Sequence, residues 1–229
     1  MAADAVAHVA SGFSTVKLKI GDADDVPTDI RRVAAVREAV GPDIAIKIDV
    51  NQGWRTPGAA IQGARGVAPY LPNYVEQPVD WRDLEGLAEV RRMSGVPIMA
   101  DEAIHDARDA LRAVSLRACD LINIKLMKTG GLIGAPTLNA IAGTGGYTRP
   151  GGTVVGAAIA TSAGLHLAIA LANVRTVEMG GPLMLAEDIG TLRDCYTGET
   201  VRVPDGPGLG IEPDERAIER YAGERVWIR

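Results

Sequence analysis

Five charged residues recur along the chain at intervals that suit one functional site. Lys19, Asp49, Glu76, Asp101 and Lys125 are separated by 30, 27, 25 and 24 positions, and each lies near the end of a short apolar run. The three acids stand in the middle of the series and the two lysines at its ends. Clustered carboxylates can hold a metal ion and lysines can move protons, so the pattern predicts proton transfer at a metal centre.

The three carboxylates need a counter-charge if they converge. Burying several carboxylates together costs several kcal/mol for each ion unless a cation neutralises them. Oxygen ligands with no His or Cys nearby favour a hard ion such as Mg²⁺ over zinc. We therefore predict that Asp49, Glu76 and Asp101 bind one Mg²⁺ ion. The alternative is that each acid forms a salt bridge with a lysine across the site.

The lysines have the chemistry of an acid/base pair. Lys19 and Lys125 flank the acids in the series, so they can approach a metal-held substrate from opposite faces. Strand alternation places Lys17 on the same face as Lys19, where its charge disfavours the protonated form of Lys19. Lys17 is thus predicted to tune the base. Asn51 and Glu102 are predicted to support the metal ligands, or else to be ordinary hydrogen-bonding residues at strand ends.

Strands and helices alternate around these residues. Apolar β-branched runs predict strands at 15–20, 44–50, 74–76, 97–100, 121–126 and 174–179, and helical spacing predicts helices at 29–40, 84–93 and 107–116. Such alternation implies parallel strands joined by right-handed crossovers. Charged residues at successive strand ends favour an α/β barrel of the TIM type over a doubly wound sheet, because barrel active sites lie at those ends.

Five motifs occur in order along the chain: VKLKIG at 16–21, IDVNQGW at 48–54, YVEQPV at 74–79, MADE at 99–102 and NIKLMKTGGL at 123–132. They resemble successive signatures of the muconate-lactonizing-enzyme subgroup of the mandelate racemase/muconate lactonizing enzyme family, in the enolase superfamily. The similarity covers most of residues 10–210. The resemblance implies that Asp49, Glu76 and Asp101 bind Mg²⁺ and that Lys19 and Lys125 are the acid/base pair.

The sequence departs from the family pattern in two places. Family members usually begin with an α+β capping domain, and neither that domain nor the first barrel strand has a counterpart here, so we expect an incomplete barrel with two open edges. The seventh strand falls in the glycine-rich run 143–156, where Pro150 weakens the strand pattern, so we expect it to be degenerate. Gly156 stands where the family usually has an acid. We assign residues 1–193 to the barrel and residues 194–229 to a C-terminal extension packed on it.

The composition argues against several other functions. A formal net charge of -5 argues against nucleic-acid binding, and no apolar stretch is suited to cross a membrane. Cys119 and Cys195 are too few for a disulfide framework, and the first residues lack a secretion signal, so we expect a cytoplasmic protein. The expected partners are a small carboxylic-acid substrate and further copies of the chain in a homo-oligomer.

These observations predict a Mg²⁺-dependent racemase, epimerase or cycloisomerase, similar to muconate cycloisomerases or to epimerases of N-acyl amino acids and dipeptides. One alternative is a catalytically silent or partner-completed fragment of such an enzyme, which the missing strand, the missing cap and Gly156 favour. Another is acid-sugar dehydration on the same scaffold, which the Lys-x-Lys motif favours less. No motif identifies the substrate, because the region that selects it in the family has no counterpart here.

Overall fold

The computed structural model describes residues 1–144, 149–152 and 156–223, in which helices and strands alternate. The strands are β1 Thr15–Lys19, β2 Ala45–Asp49, β3 Val75–Glu76, β4 Ile98–Ala100, β5 Leu121–Ile122, β6 Arg149–Gly152, β7 Val174–Glu178, β8 Tyr196–Thr197 and β9 Thr200–Val201. The helices are α1 Ala2–Ala10, α2 Val26–Val40, α3 Pro57–Val67, α4 Leu84–Ser94, α5 Ala107–Leu116, α6 Gly131–Thr144, α7 Ala158–Ala170, α8 Gly181–Met184 and α9 Glu215–Tyr221. Short 3₁₀ turns lie at Ala68–Tyr70 and Arg193–Cys195.

Strands β1 to β5 form one parallel sheet in chain order, and β6 pairs in parallel with β7. Lys19 stands opposite Asp49 in the β1–β2 register, and Asp49 stands opposite Glu76 in the β2–β3 register. Because all these strands run the same way, their carboxyl ends meet at one rim. The predicted α/β fold with a partial barrel is confirmed, since five parallel strands follow one another in chain order and two more pair beside them.

Side-chain alternation along β1 separates the core from the site. Val16, Leu18 and Ile20 are buried in the main apolar core with the surrounding helices, whereas Lys17 and Lys19 point to the opposite side and reach carboxylates there. This is the parity that the sequence predicts for a strand with one face against helices. The strand therefore carries both functions, packing with one face and presenting charges with the other.

Local capping sets where the helices begin. The helix predicted at 29–40 begins earlier, at Val26, because the Asp25 side chain accepts a hydrogen bond from the Thr28 backbone N–H and Pro27 suits the first turn. Helix α5 has the predicted bounds, with Asp106 capping its first backbone N–H groups. These caps fix where the loop after β1 and the loop after β4 end.

A strand forms in the glycine-rich run where the sequence pattern is weak. β6 occupies Arg149–Gly152 and pairs with β7, with an irregular register between residues 149 and 151. Residues 145–148 and 153–155 of this run lie outside the described part of the chain, so only its middle and its end at Gly156 can be compared with the prediction. Gly156 precedes α7, and its carbonyl accepts a hydrogen bond from Thr161 Oγ1 at 3.0 Å.

The barrel is open between β1 and β7. β1 forms one edge of the five-stranded sheet and β7 one edge of the two-stranded sheet, and no strand of the described residues lies between them. A cavity of about 480 Å³ occupies this gap and is lined by β1, β7 and the β8–β9 hairpin. The two open edges expected from the sequence are thus where β1 and β7 face each other.

The segment after residue 193 contacts α7 and β7. Ser162 Oγ donates a hydrogen bond to the Leu209 carbonyl at 2.7 Å, and His166 Nε2 lies 3.2 Å from the same oxygen. Leu192 and Cys195 belong to one apolar cluster, so packing continues across the predicted boundary at 193/194, which stays a prediction. In the ranges described, no helix is both long and apolar enough to cross a membrane.

Candidate active site

The rim brings the five predicted site residues together. The register of β1, β2 and β3 places Lys19, Asp49 and Glu76 side by side, Asp101 directly follows β4, and Lys125 follows β5. The three acids are almost completely buried, with exposed fractions of 0% for Glu76 and 1% for Asp49 and Asp101. Such burial requires nearby positive charge.

Lysines supply that charge. Lys19 Nζ lies 2.6 Å from Asp49 Oδ2, Lys17 Nζ lies 2.5 Å from Glu76 Oε2, and Lys125 Nζ donates a hydrogen bond to Asp101 Oδ2. Each of the three acids is therefore paired with a lysine, as in the salt-bridge alternative considered from the sequence. Whether the same carboxylates also bind a metal ion depends on whether the lysines can withdraw from them.

The donor set suits a hard divalent ion, although the oxygens are not gathered around one point. Asp101 Oδ1 and Glu102 Oε2 are buried without a hydrogen-bond donor, and Asp101 Oδ1 lies 2.8 Å from Lys128 Nζ as an ion pair without hydrogen-bond geometry. In the described ranges, no three His, Cys, Asp or Glu side chains are arranged to hold a metal ion. Lys17 lies between Glu76 and Asp49, so their oxygens can share an ion only when its ammonium group moves away.

Burial and charge give neighbouring carboxyl groups opposite behaviour. Burial, followed by the charge of Asp49, raises the pKa of Glu76 to about 7. Burial also opposes ionisation of Asp101, but Lys128 and Lys125 outweigh it and lower the pKa of Asp101 to about 2. Asp101 therefore stays ionised at neutral pH, while Glu76 is the carboxyl group that lacks sufficient positive charge around it. A divalent cation would supply that charge.

The lysine ammonium groups at the rim are stabilised by the carboxylates. Burial opposes the charged form of Lys17 and of Lys125, but the neighbouring acids outweigh burial and raise the pKa of each. Lys125 is thus protonated at neutral pH and can act as a proton donor. Lys17 and Lys19 both contact Asp49 Oδ2, at 3.2 and 2.6 Å, so the two ammonium groups flank one oxygen. The role of Lys17 as a tuner of Lys19 stays a prediction.

Asn51 and Glu102 connect Lys19 to the rim. Asn51 Oδ1 accepts a hydrogen bond from Lys19 Nζ at 2.8 Å, and its Nδ2 donates to Glu102 Oε1 at 3.1 Å. Asn51 and Gln52 have φ values of 44° and 68°, in the left-handed region that is uncommon for residues other than glycine. Backbone of this kind concentrates at functional sites, where the surroundings must hold it in place.

Two polar residues that hold the acids were not singled out from the sequence. Gln77 Oε1 accepts hydrogen bonds from the backbone N–H groups of Asp101 and Ala103, at 3.0 and 3.1 Å. Asn123 Nδ2 donates to Glu76 Oε1 at 2.7 Å. Both residues lie inside the motifs that carry the family resemblance. Gln77 directly follows Glu76, and Asn123 lies two positions before Lys125, so closeness to a site residue was the available signal.

Two charged residues were also missed. Lys128 is a second lysine on Asp101, and burial lowers its pKa. Glu178 ends β7 and accepts contacts from Lys17, Lys47 and Tyr74. Its signal was the same as that of the recognised acids, a carboxylate at the end of a strand. All lysines of the chain lie at this site: Lys17, Lys19, Lys47, Lys125 and Lys128. The rest of the 24 Lys and Arg residues are arginines.

An open α/β barrel with buried carboxylates and lysines at the carboxyl rim of its strands defines the class of the chain as a barrel domain of the enolase type. A sequence model of the family described as "Enolase C-terminal domain-like" matches residues 1–217. The chain belongs to this family.

Named relatives of the chain are isomerases. It is 36% identical over 219 residues to the N-succinyl-L-Arg/Lys racemase of Bacillus cereus, covering 96% of this chain and 58% of the relative. It is 37% identical over 206 residues to muconate cycloisomerase 1-1 of Acinetobacter lwoffii, covering 90% of this chain and 53% of that protein. The chain thus spans a little over half the length of these relatives.

Solved structures agree with the fold. The crystal structure of the Bacillus cereus racemase, at 36% identity, has a TM-score of 0.91 and is matched over 96% of this chain and 58% of its own. A dipeptide epimerase from Enterococcus faecalis, complexed with Mg and the dipeptide L-Leu-L-Tyr, has a TM-score of 0.85 at 39% identity. That match covers 92% of this chain and 59% of the epimerase chain.

Proposed function

We propose that this site performs Mg²⁺-dependent proton transfer to or from the carbon next to the carboxylate of a small carboxylic acid. The reaction would be a racemisation, an epimerisation or a cycloisomerisation. The observation that carries the proposal is the placement of Lys19 and Lys125 on opposite sides of the buried acids Asp49, Glu76 and Asp101. Relatives named as a racemase, a cycloisomerase and a dipeptide epimerase support it.

The acids are the proposed ligands of the ion. A divalent ion held by Asp49, Glu76 and Asp101 would stabilise the negative charge that develops on the substrate carboxylate when the proton leaves. The raised pKa of Glu76 supports this assignment, because an ion would favour its ionised form. The Enterococcus faecalis epimerase structure with Mg supports the choice of ion.

The lysines are the proposed acid and base. Lys19 is 63% exposed in its side chain, so it reaches towards the open rim where a substrate would arrive, and Asp49 and Asn51 hold its ammonium nitrogen. Lys125 is 16% exposed and fixed on Asp101, which keeps it protonated as the donor on the other side. Positioned proton transfer of this kind contributes roughly 10²- to 10⁴-fold to a rate.

Solvent deuterium exchange at the α-carbon tests the proposal, with dipeptides, N-succinyl amino acids and muconate-like acids as substrates. We expect exchange with Mg²⁺, loss of exchange with EDTA, and loss in Lys19→Ala and in Lys125→Ala. Arg112→Ala removes an exposed cation that pairs with Glu85 and serves as the control. Exchange that continues unchanged in both lysine variants would contradict the assignment.

A second candidate is a chain that works only when another polypeptide completes the barrel. The gap of about 480 Å³ between β1 and β7 favours it, because unpaired edges of a parallel sheet accept an added strand. The expected homo-oligomer would be one way of covering these edges. Light scattering after size-exclusion chromatography would then give a mass above 24.0 kDa. A monomer that exchanges the α-proton by itself would contradict this candidate.

A further inference from the structure

The ammonium group of Lys17 contacts two of the carboxylates that are proposed to bind a metal ion. Its Nζ lies 2.5 Å from Glu76 Oε2, 3.2 Å from Asp49 Oδ2 and 2.6 Å from Glu178 Oε2. Two of these partners are the proposed metal ligands, and the third is not. An ammonium group and a divalent cation repel each other at such distances, so Lys17 must release Asp49 and Glu76 when an ion binds them. Glu178 is the carboxylate that remains to it.

Glu178 is fixed in the orientation that this exchange requires. Its Oε1 accepts a hydrogen bond from Tyr74 OH at 2.7 Å and one from Lys47 Nζ at 3.1 Å. Its other oxygen, Oε2, is left for Lys17. Lys47 lies in β2, Tyr74 directly precedes β3 and Glu178 ends β7. The network therefore spans the barrel interior. The carboxylate is therefore prepared to hold Lys17 without movement of its own.

Lys17 also needs such a partner, because its side chain is only 20% exposed. An ammonium group at this depth loses part of its hydration, and water alone replaces a lost carboxylate poorly. Without an anionic alternative, Lys17 would stay on Glu76 and Asp49 and would compete with the ion. With Glu178 present, the lysine can leave those oxygens and still be paired.

We propose that Glu178 is a positioning residue that takes over the ammonium group of Lys17 when a divalent ion binds Asp49 and Glu76. This inference rests on the proposed function, since it requires the ion to occupy the rim. Glu178 does not touch the ion or the reacting atoms in this scheme. It makes the metal site accessible and keeps Lys17 beside Lys19.

A double-mutant cycle on Mg²⁺ affinity tests the proposal by calorimetry, with the unsubstituted chain, Glu178→Gln, Lys17→Met and the double variant. Glu178→Gln is expected to weaken Mg²⁺ binding about tenfold, which corresponds to about 1.4 kcal/mol, because Lys17 then stays on the ligands. In the Lys17→Met background the same substitution is expected to change affinity by less than about twofold, since no competing ammonium group remains. Glu187→Gln, which removes one negative charge at an exposed pair with Arg220, is expected to leave affinity unchanged.

The outcomes separate this inference from the proposed function. Equal weakening by Glu178→Gln in both backgrounds would show a general effect of negative charge and would overturn the role of Glu178. Absence of any Mg²⁺ binding by the unsubstituted chain would overturn the proposed function, and this inference with it. Circular dichroism on each variant shows that the affinities come from folded protein.

A measurement on the unsubstituted chain covers the case in which a variant does not fold. Every lysine lies at the site, so ¹⁵N-lysine labelling gives side-chain signals from this region alone. We expect the Lys17 Nζ protons to stay protected from exchange with water at Mg²⁺ saturation, because Glu178 still holds them. Loss of that protection on Mg²⁺ binding would overturn the proposal.

Discussion

Asp29 links the loop that follows β1 to the rest of the rim, and its replacement gives a prediction that does not depend on any ligand. The carboxylate is fully buried and accepts hydrogen bonds from the backbone N–H groups of Gly21 and Asp22, at 2.9 and 2.7 Å. Trp54 Nε1 donates to it at 3.0 Å and Arg32 at 2.9 Å. Asp29→Ala leaves these donors without their acceptor.

The cost can be worked from the partners. Trp54 is fully buried, so its orphaned N–H alone costs about 1–3 kcal/mol. The bonds from Gly21 and Asp22 to a charged acceptor add to this, and the expected total loss of unfolding free energy is about 4 kcal/mol. For a chain of this length, such a loss lowers the melting temperature by roughly 10 °C.

Urea and thermal denaturation followed by circular dichroism measure this loss. Asp25→Ala is the matched control, because Asp25 is an acid in the same loop whose side chain caps α2 at the surface. Its effect is expected to be much smaller. A loss below about 1 kcal/mol for Asp29→Ala, or one equal to that of the control, would refute the assignment of Asp29 as the anchor of this loop.

Two further predictions concern the loss of stability at low pH and the packing of α3. Burial opposes ionisation of Glu178, but Lys17 and Lys47 outweigh it and lower its pKa from 4.5 to about 2. The ionised Glu178 therefore contributes about 3 kcal/mol to the free energy of unfolding above pH 4.5, and this contribution is lost as the pH falls towards 2. In Glu178→Gln, unfolding free energies measured in urea should vary less across that range, and an unchanged pH dependence would contradict the pairing. Gly63→Ala should cost about 1–3 kcal/mol, because its Cβ would lie 2.6 Å from the Trp54 ring. Gly58→Ala in the same helix meets nothing within 4 Å and should be neutral or stabilising; equal losses in urea unfolding would show that the Trp54 contact does not limit this position.

The positions of the five central residues could be predicted because the signal is local. A charged residue at a strand end, repeated at the length of one strand–helix unit, places each side chain at the same rim, and the β1–β3 register agrees with this. Helix α5 could be delimited for the same reason, since its cap Asp106 and its apolar spacing are both in the sequence. Local chemistry thus determines where these strands and α5 lie and which way their side chains point.

The partners of those side chains could not be predicted, because they depend on distant contacts. Lys17 meets Glu178 across 161 positions, and nothing near either residue in the sequence indicates the other. β6 forms in a run with poor strand propensity because β7 pairs with it. Lysines and a metal ion can each neutralise three buried carboxylates, so the sequence pattern alone leaves both possibilities open.

We propose that Asp49, Glu76 and Asp101 bind one divalent ion between the lysines. Calorimetric titration of Mg²⁺ into the unsubstituted chain and into Glu76→Gln tests it most directly, with Glu85→Gln, an exposed acid on α4, as the control. We expect one Mg²⁺ to bind per chain, with binding retained in Glu85→Gln and lost in Glu76→Gln. Absence of binding to the unsubstituted chain, or equal binding by Glu76→Gln, would contradict it.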